Sequence, residues 1–155
     1  MALDKKDYEI LRLVQADGKL TAKEIAGKLD IPITTVYAKV KRMEEAGLVR
    51  GYRAILDGKA LGLGVTAFIF VSVSYKPGAK MLSQRKIAEE IAKHPEVQEV
   101  QIISGEWDLL LKVKARDVDE IGKFIVDELR KTEGVDKTST IISLANVKES
   151  TGLKI

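Results

Sequence analysis

At the glycine-rich run "DGKALGLG", residues 57–64, the spacing of apolar side chains changes period. Before it, apolar residues recur every three to four positions; after it, they alternate at every second position. A chain that switches from the helical to the strand period across a flexible break folds as two differently built parts. The sequence therefore predicts an α+β protein: a helical domain over 1–53, a linker over 54–64 and a mixed domain over 65–155.

In the first part, "LDKKDYEILRLVQADGK" carries Leu3, Tyr8, Ile10, Leu11, Leu13 and Val14 at helical spacing and ends at Asp17-Gly18-Lys19. "TAKEIAGKL" opens with Thr21 and Glu24 at the capping-box spacing and has an apolar face of Ile25, Ala26 and Leu29. Pro32 restricts the residue before it and breaks this helix. "ITTVYAKVKRMEEAG" is a third helix, stopped at Gly47. Steps of about 100° per residue put Ile33, Val36, Val40 and Met43 on one side. Thr34, Thr35, Ala38, Lys41, Arg42 and Glu45 point the other way, with Lys39 on the flank. Three short helices with a sharp turn before the third form a helix-turn-helix pattern, and "LVRGYRAIL" reads as a short strand pair or wing behind it.

From Val65 the order reads βαββαβ. "VTAFIFVSVSY", "VQEVQIIS", "DLLLKVKA" and "DKTSTIISL" are strands. Ser83 to His94 is a helix with Ile87 and Ile91 inward, and "DVDEIGKFIVDELRKT" is one capped by Asp117, with Val118, Ile121, Ile125 and Leu129 as its buried stripe. "PEVQEVQIIS" is echoed by "EGVDKTSTIIS", so two similar halves form a ferredoxin-like sandwich with both helices on one sheet face. Phe68, Phe70, Leu110 and Ile141 fall on the other face, which predicts a homodimer that covers it.

Charge narrows the partner. Residues 1–33 carry six basic and six acidic groups, and residues 54–155 carry fifteen of each. The net charge of +3 therefore lies entirely within 34–53, where Lys39, Lys41, Arg42, Arg50 and Arg53 outnumber Glu44 and Glu45. A basic focus on an otherwise balanced chain marks a polyanion site. Hydroxyls of Thr34 and Thr35 and the Ala38 methyl suit base edges, while lysine and arginine suit phosphates and guanine. Double-stranded DNA is the expected partner.

Catalysis has little to work with. There is no cysteine, His94 is the one histidine, and no P-loop, HExxH or Ser-His-Asp set occurs. No enzyme activity, cofactor or metal is expected. The early charges of "MALDKKDYEI" and the lack of a long apolar run point to a cytoplasmic protein without a membrane span.

"SGEWD", Ser104 to Asp108, asks more of its residues than a hairpin needs, because glycine and a small polar neighbour already make the turn. An indole left in water wastes ~150–250 Å² of burial, worth roughly 4–6 kcal/mol at ~25 cal/mol per Å². Something is expected to cover Trp107.

Together, "IPITTVYAKVKRMEEAGLVRGYRAILDGKALG" and "ISGEWDLLLKV" resemble the Lrp/AsnC (leucine-responsive/asparagine regulator) family over nearly the whole chain and in its usual domain order. The resemblance implies a winged helix-turn-helix domain, a ferredoxin-like effector domain, and a transcriptional regulator whose dimers assemble into larger rings such as an octamer. It further implies that DNA binding responds to a small effector, usually an amino acid, trapped between dimers. Carried onto this chain, the backbone around Ser104, Gly105 and Glu106 would meet a carboxylate, Asp108 an ammonium, and Trp107 the side chain. Thr138, Ser139 and Thr140 would add hydroxyls from a neighbour. This sequence has Lys39 where the family usually has arginine, which removes a bidentate fork, and Trp107 where tyrosine is usual. The alternative is an architectural DNA binder with the same fold and no effector.

Overall fold

The computed structural model describes residues 2–74 and 83–155. Two compact units emerge, one of Met1–Ile55 with Lys148–Ile155, the other of Leu56–Val147.

In the first unit, α1 (Lys5–Ala16), α2 (Ala22–Leu29) and α3 (Ile33–Glu45) enclose Ile10, Ile25, Val36 and Met43. Each is at most 2% exposed. Thr21 and Glu24 form the capping box their spacing predicts. Asp30 closes α2 in the left-handed region, φ 49°, a conformation that short polar side chains tolerate. This residue makes the sharp entry to α3.

Two expectations are corrected here. Residues 48–56, read as a strand pair, form no strand. Ile55 and Leu56 are 96% and 70% exposed, and a two-stranded ribbon with no apolar layer beneath it is at best marginally stable. Residues Lys148–Ile155, read as part of the second domain, cluster with the first unit. The Gln15 amide pairs with the backbone of Leu153 both ways, donating from Nε2 to its carbonyl and accepting from its N–H, each at 2.8 Å. Arg12 Nε donates to the Ile155 carbonyl at 2.7 Å. A side-chain amide standing in for a strand partner leaves no periodic trace in sequence.

The second unit holds β1 (Val65–Val73), α4 (Gln84–Ile91), β2 (Val97–Ile102), β3 (Leu109–Ala115), α5 (Val118–Lys123) and β4 (Val135–Ile142). The strands form one antiparallel sheet in the order β2-β3-β1-β4, the ferredoxin-like arrangement. Strand alternation sorts the residues. Ala67, Ile69, Val71 and Val73 of β1 and Leu109, Leu111, Val113 and Ala115 of β3 are buried with Ile87, Ile91, Ile121, Phe124 and Leu129. On the opposite face Phe70 stands between Leu110 and Ser139, and Phe68 between Lys112 and Ile141. Phe68, Phe70 and Leu110 are half-buried there, and Ile141 is exposed.

The predicted stripe of the last helix is partly corrected. Val118 is 58% exposed, and Phe124, absent from that stripe, is 4% exposed. After α5 the chain runs through a π turn, Phe124–Glu128, and a tight turn, Leu129–Lys131. Val118 is the first residue of α5, at its open end, and Phe124 lies three residues after buried Ile121, on the same side of the helix. Among the described residues no helix is long and apolar enough to cross a membrane.

Candidate functional site

Five of the eight residues expected to read DNA come together on α3. Thr34, Thr35, Ala38, Lys39 and Arg42 line one open depression of about 390 Å³. The helix presents them because its buried side, Val36 and Met43, fixes the rotation and leaves the opposite side to solvent. Lys41 is exposed and pairs loosely with Glu45 one turn on, 3.8 Å away. Arg50 and Arg53 lie in the irregular segment behind α3, exposed and outside the depression.

Two acidic residues that the sequence reading left unassigned organise this surface. Asp7 is wholly buried (0% exposed). Its Oδ2 accepts from the Asp4 N–H at 2.9 Å and from Arg42 Nη2 at 2.7 Å. Its Oδ1 accepts from Lys39 Nζ at 3.0 Å, and Lys39 also donates to Asp4 Oδ2 at 2.5 Å. Burial alone pushes the Asp7 carboxyl up, but the Asp4 N–H and the Lys39 and Arg42 cations outweigh it and hold it low. The Lys39 ammonium, bonded first to Asp4, is held up. Asp4 and Asp7 had a signal in sequence: "DKKD" has capping-box spacing immediately before an apolar periodic run. Tyr37 is 64% exposed on α3, outside the depression.

The turn before β3 is built differently. Gly105 has φ +122°, a conformation that favours glycine, and nothing lies within 4 Å of where a Cβ would stand. Ser104, Gly105 and Glu106 are exposed. Trp107 is half-buried, its ring tilted 46° against Phe70 with centroids 6.1 Å apart. Asp108 Oδ2 accepts from the Val73 N–H at 2.7 Å and Oδ1 from Gln84 Nε2 at 2.9 Å. Strand register separates the three hydroxyl residues. Ser139 opposes Phe70 on the open face, whereas Thr138 and Thr140 oppose Val71 and Ile69 on the helix-covered face.

Residues 3–50 match a winged helix-turn-helix DNA-binding family, and residues 66–153 match the Lrp/AsnC ligand binding domain. This chain belongs to the Lrp/AsnC family. Its relatives include an HTH-type transcriptional regulator of Pyrococcus abyssi, 43% identical over 95% of this chain and 96% of the relative. The leucine-responsive regulatory protein of Rhizobium meliloti is 35% identical over 99% of this chain and 96% of its own. Among solved structures, a transcriptional regulator of Neisseria meningitidis in complex with L-Met superposes with a TM-score of 0.90 at 32% identity, covering 99% of this chain and 97% of that one.

As an Lrp/AsnC protein the chain is a transcriptional regulator with a helix-turn-helix DNA-binding domain and a ligand-binding domain. The first match spans α1, α2 and α3, and the second spans the sheet from the second residue of β1 onward and the Trp107 turn.

Proposed function

We propose that this Lrp/AsnC regulator reads operator DNA with α3 and that an amino acid bound at the Trp107 turn changes that binding through assembly. The α3 depression carries the reading through Thr34, Thr35, Ala38 and Arg42, with Lys39 in its wall. Thr34, Thr35 and Ala38 face base edges, Arg42 a guanine or phosphate, and Lys41, Arg50 and Arg53 phosphates. It lies within 34–53, which holds the chain's entire charge excess.

The effector assignment takes Ser104, Gly105 and Glu106 as the carboxylate cradle, Asp108 as the ammonium partner and Trp107 as the wall. Ser139 supplies a hydroxyl from the open face of β4, with its neighbours Thr138 and Thr140 on the other face of that strand. The L-Met complex of the Neisseria protein supports an amino acid as the ligand class. Apolar Phe68, Phe70, Leu110 and Ile141 support a homodimer through the open sheet face, and dimers assembling further, as in an octamer. The regulator acts in the cytoplasm, without catalysis, cofactor or metal, with a DNA-binding domain at 1–53, a linker at 54–64 and an effector domain from 65 on, whose last residues, 148–155, pack with the helical unit.

A second reading, an architectural DNA binder with no effector, is favoured by two contacts: Trp107 already packs on Phe70, and both Asp108 oxygens already accept hydrogen bonds. Screening the twenty amino acids for thermal stabilisation, followed by operator binding with each hit, separates the two. A hit that shifts operator affinity establishes the first reading; no stabilisation by any of them leaves the second.

A further inference from the structure

The helix α3 is fastened by more than its apolar side. Among the described residues Asp7 is the one buried charged group. It collects a backbone N–H and both cations nearest the reading depression. A buried ion pair is a poor way to gain stability, since well-packed apolar side chains do as well or better. Its effect on the two cations is what an apolar contact could not reproduce. The Lys39 side chain is only 16% exposed, and its ammonium is shared between two carboxylates. Arg42 is 47% exposed and gives Asp7 only Nη2, so Nε and Nη1 stay available in a fixed direction.

We infer that Asp7 is a positioning and specificity-determining residue for DNA reading: it aims the Arg42 guanidinium and, together with Asp4, withdraws the Lys39 charge from phosphates. The inference rests on the DNA-reading function proposed above. Its physical basis is that phosphate-only binding grows with every available cation, whereas discrimination needs a donor held in one orientation. By cancelling one cation and orienting another, Asp7 lowers affinity for arbitrary DNA and raises the contrast with the operator.

The test uses the full chain and two duplexes, one selected by the wild-type protein from a random library and one scrambled from it. Affinity for both is followed between about 50 and 200 mM salt. Asp7→Asn keeps an oxygen for the Asp4 N–H but removes the charge. It is expected to bind the scrambled duplex more tightly, steepen the log–log salt slope by about 0.9, and lose about tenfold in discrimination. Lys39→Met keeps the aliphatic stem and removes the ammonium; its slope is expected to equal wild type. In Asp7→Asn with Lys39→Met the slope returns to wild type while discrimination stays low, because Arg42 remains unanchored. A purely structural Asp7 would lower the melting temperature and move neither slope nor ratio. Unchanged slope and ratio in Asp7→Asn overturn the inference, as does a flattening by about 0.9 in Lys39→Met. If Asp7→Asn does not fold, Lys39→Met decides by the same criterion. A wild-type chain that selects no sequence overturns the DNA-reading function along with the inference, whereas selection that Asp7→Asn leaves intact overturns the inference alone.

Discussion

The carboxylate of Asp108 accepts a 2.7 Å hydrogen bond from the backbone N–H of Val73, the last residue of β1. The Asp108 N–H in turn donates to the Val71 carbonyl at 3.0 Å, and Gln84 at the start of α4 reaches the second carboxylate oxygen. The aspartate of the turn thus ties the end of β1 to the beginning of α4.

Asp108→Asn and Asp108→Ala separate the two roles. Asparagine keeps an acceptor for Val73 but carries no charge. It is expected to melt close to wild type while losing at least about tenfold in amino-acid affinity, the worth of a charge-assisted hydrogen bond. Alanine loses the acceptor as well, leaving the Val73 N–H unpaired, and is expected to cost a further ~1–3 kcal/mol of stability. Calorimetric titration with the best ligand and thermal melts read the two effects. Undiminished affinity in the asparagine variant would place the ammonium elsewhere.

Gly105 and Gly134 both have positive φ, +122° and +93°, but their surroundings differ. A Cβ on Gly105 meets nothing within 4 Å, whereas one on Gly134 runs into Cδ1 of buried Ile87. Gly105→Ala is expected to cost only the backbone strain, ~1–3 kcal/mol. Gly134→Ala adds overpacking, typically ~1–3 kcal/mol more. Denaturant melts of the two variants should rank accordingly; equal losses would mean that Ile87 moves aside freely.

The open sheet face should set the oligomeric state. Phe70 contacts Trp107 and lies in register between Leu110 and Ser139. Phe70→Lys puts a cation in the middle of an apolar surface and is expected to give single chains by light scattering, with Trp107 emission shifted to the red. A wild-type chain that stays monomeric at micromolar concentration sinks the dimer proposal.

Acid should loosen the helical unit first. Asp4 is held low by the Lys39 ammonium, then by the Asp7 N–H. Asp7 is also held low, its neighbouring donors and cations overcoming its burial. In the unfolded chain both titrate near the ordinary aspartate value of about 4. A depressed folded value means that the contribution is complete above that pH and is lost as pH falls through the folded values. Lys39 is raised, so its share is complete below the ordinary lysine value of about 10.4 and is lost as pH rises through the folded value. Melting temperature followed by helical circular dichroism is expected to fall below about pH 4, and to fall less steeply in Asp7→Asn. Parallel acid curves for the two proteins would show that other carboxylates dominate.

The helices, the four strands of the sheet and their order were legible because each rests on local periodicity, whereas the expected strand pair over 48–56 did not form. Thr21-x-x-Glu24 declares its capping box, and the alternation through Ala67, Ile69 and Val71 declares which side of β1 is buried. The α3 surface was legible for the same reason: once Val36 and Met43 are inward, Thr34, Ala38 and Arg42 must be outward. Family resemblance added an expected role for the turn, which the residues alone left open.

What tertiary structure decided depends on groups far apart in sequence. Lys39 looked like one more phosphate contact, because nothing near it on α3 shows that Asp4 and Asp7 of α1 already hold its ammonium. Asp108 looked free for a ligand until folding brought the Val73 N–H and the Gln84 amide to it. Helical and strand periods fix which side of an element faces the core, since every residue contributes to them. Which charged side chain stays unpaired depends on single contacts between elements, and single contacts leave no period to read.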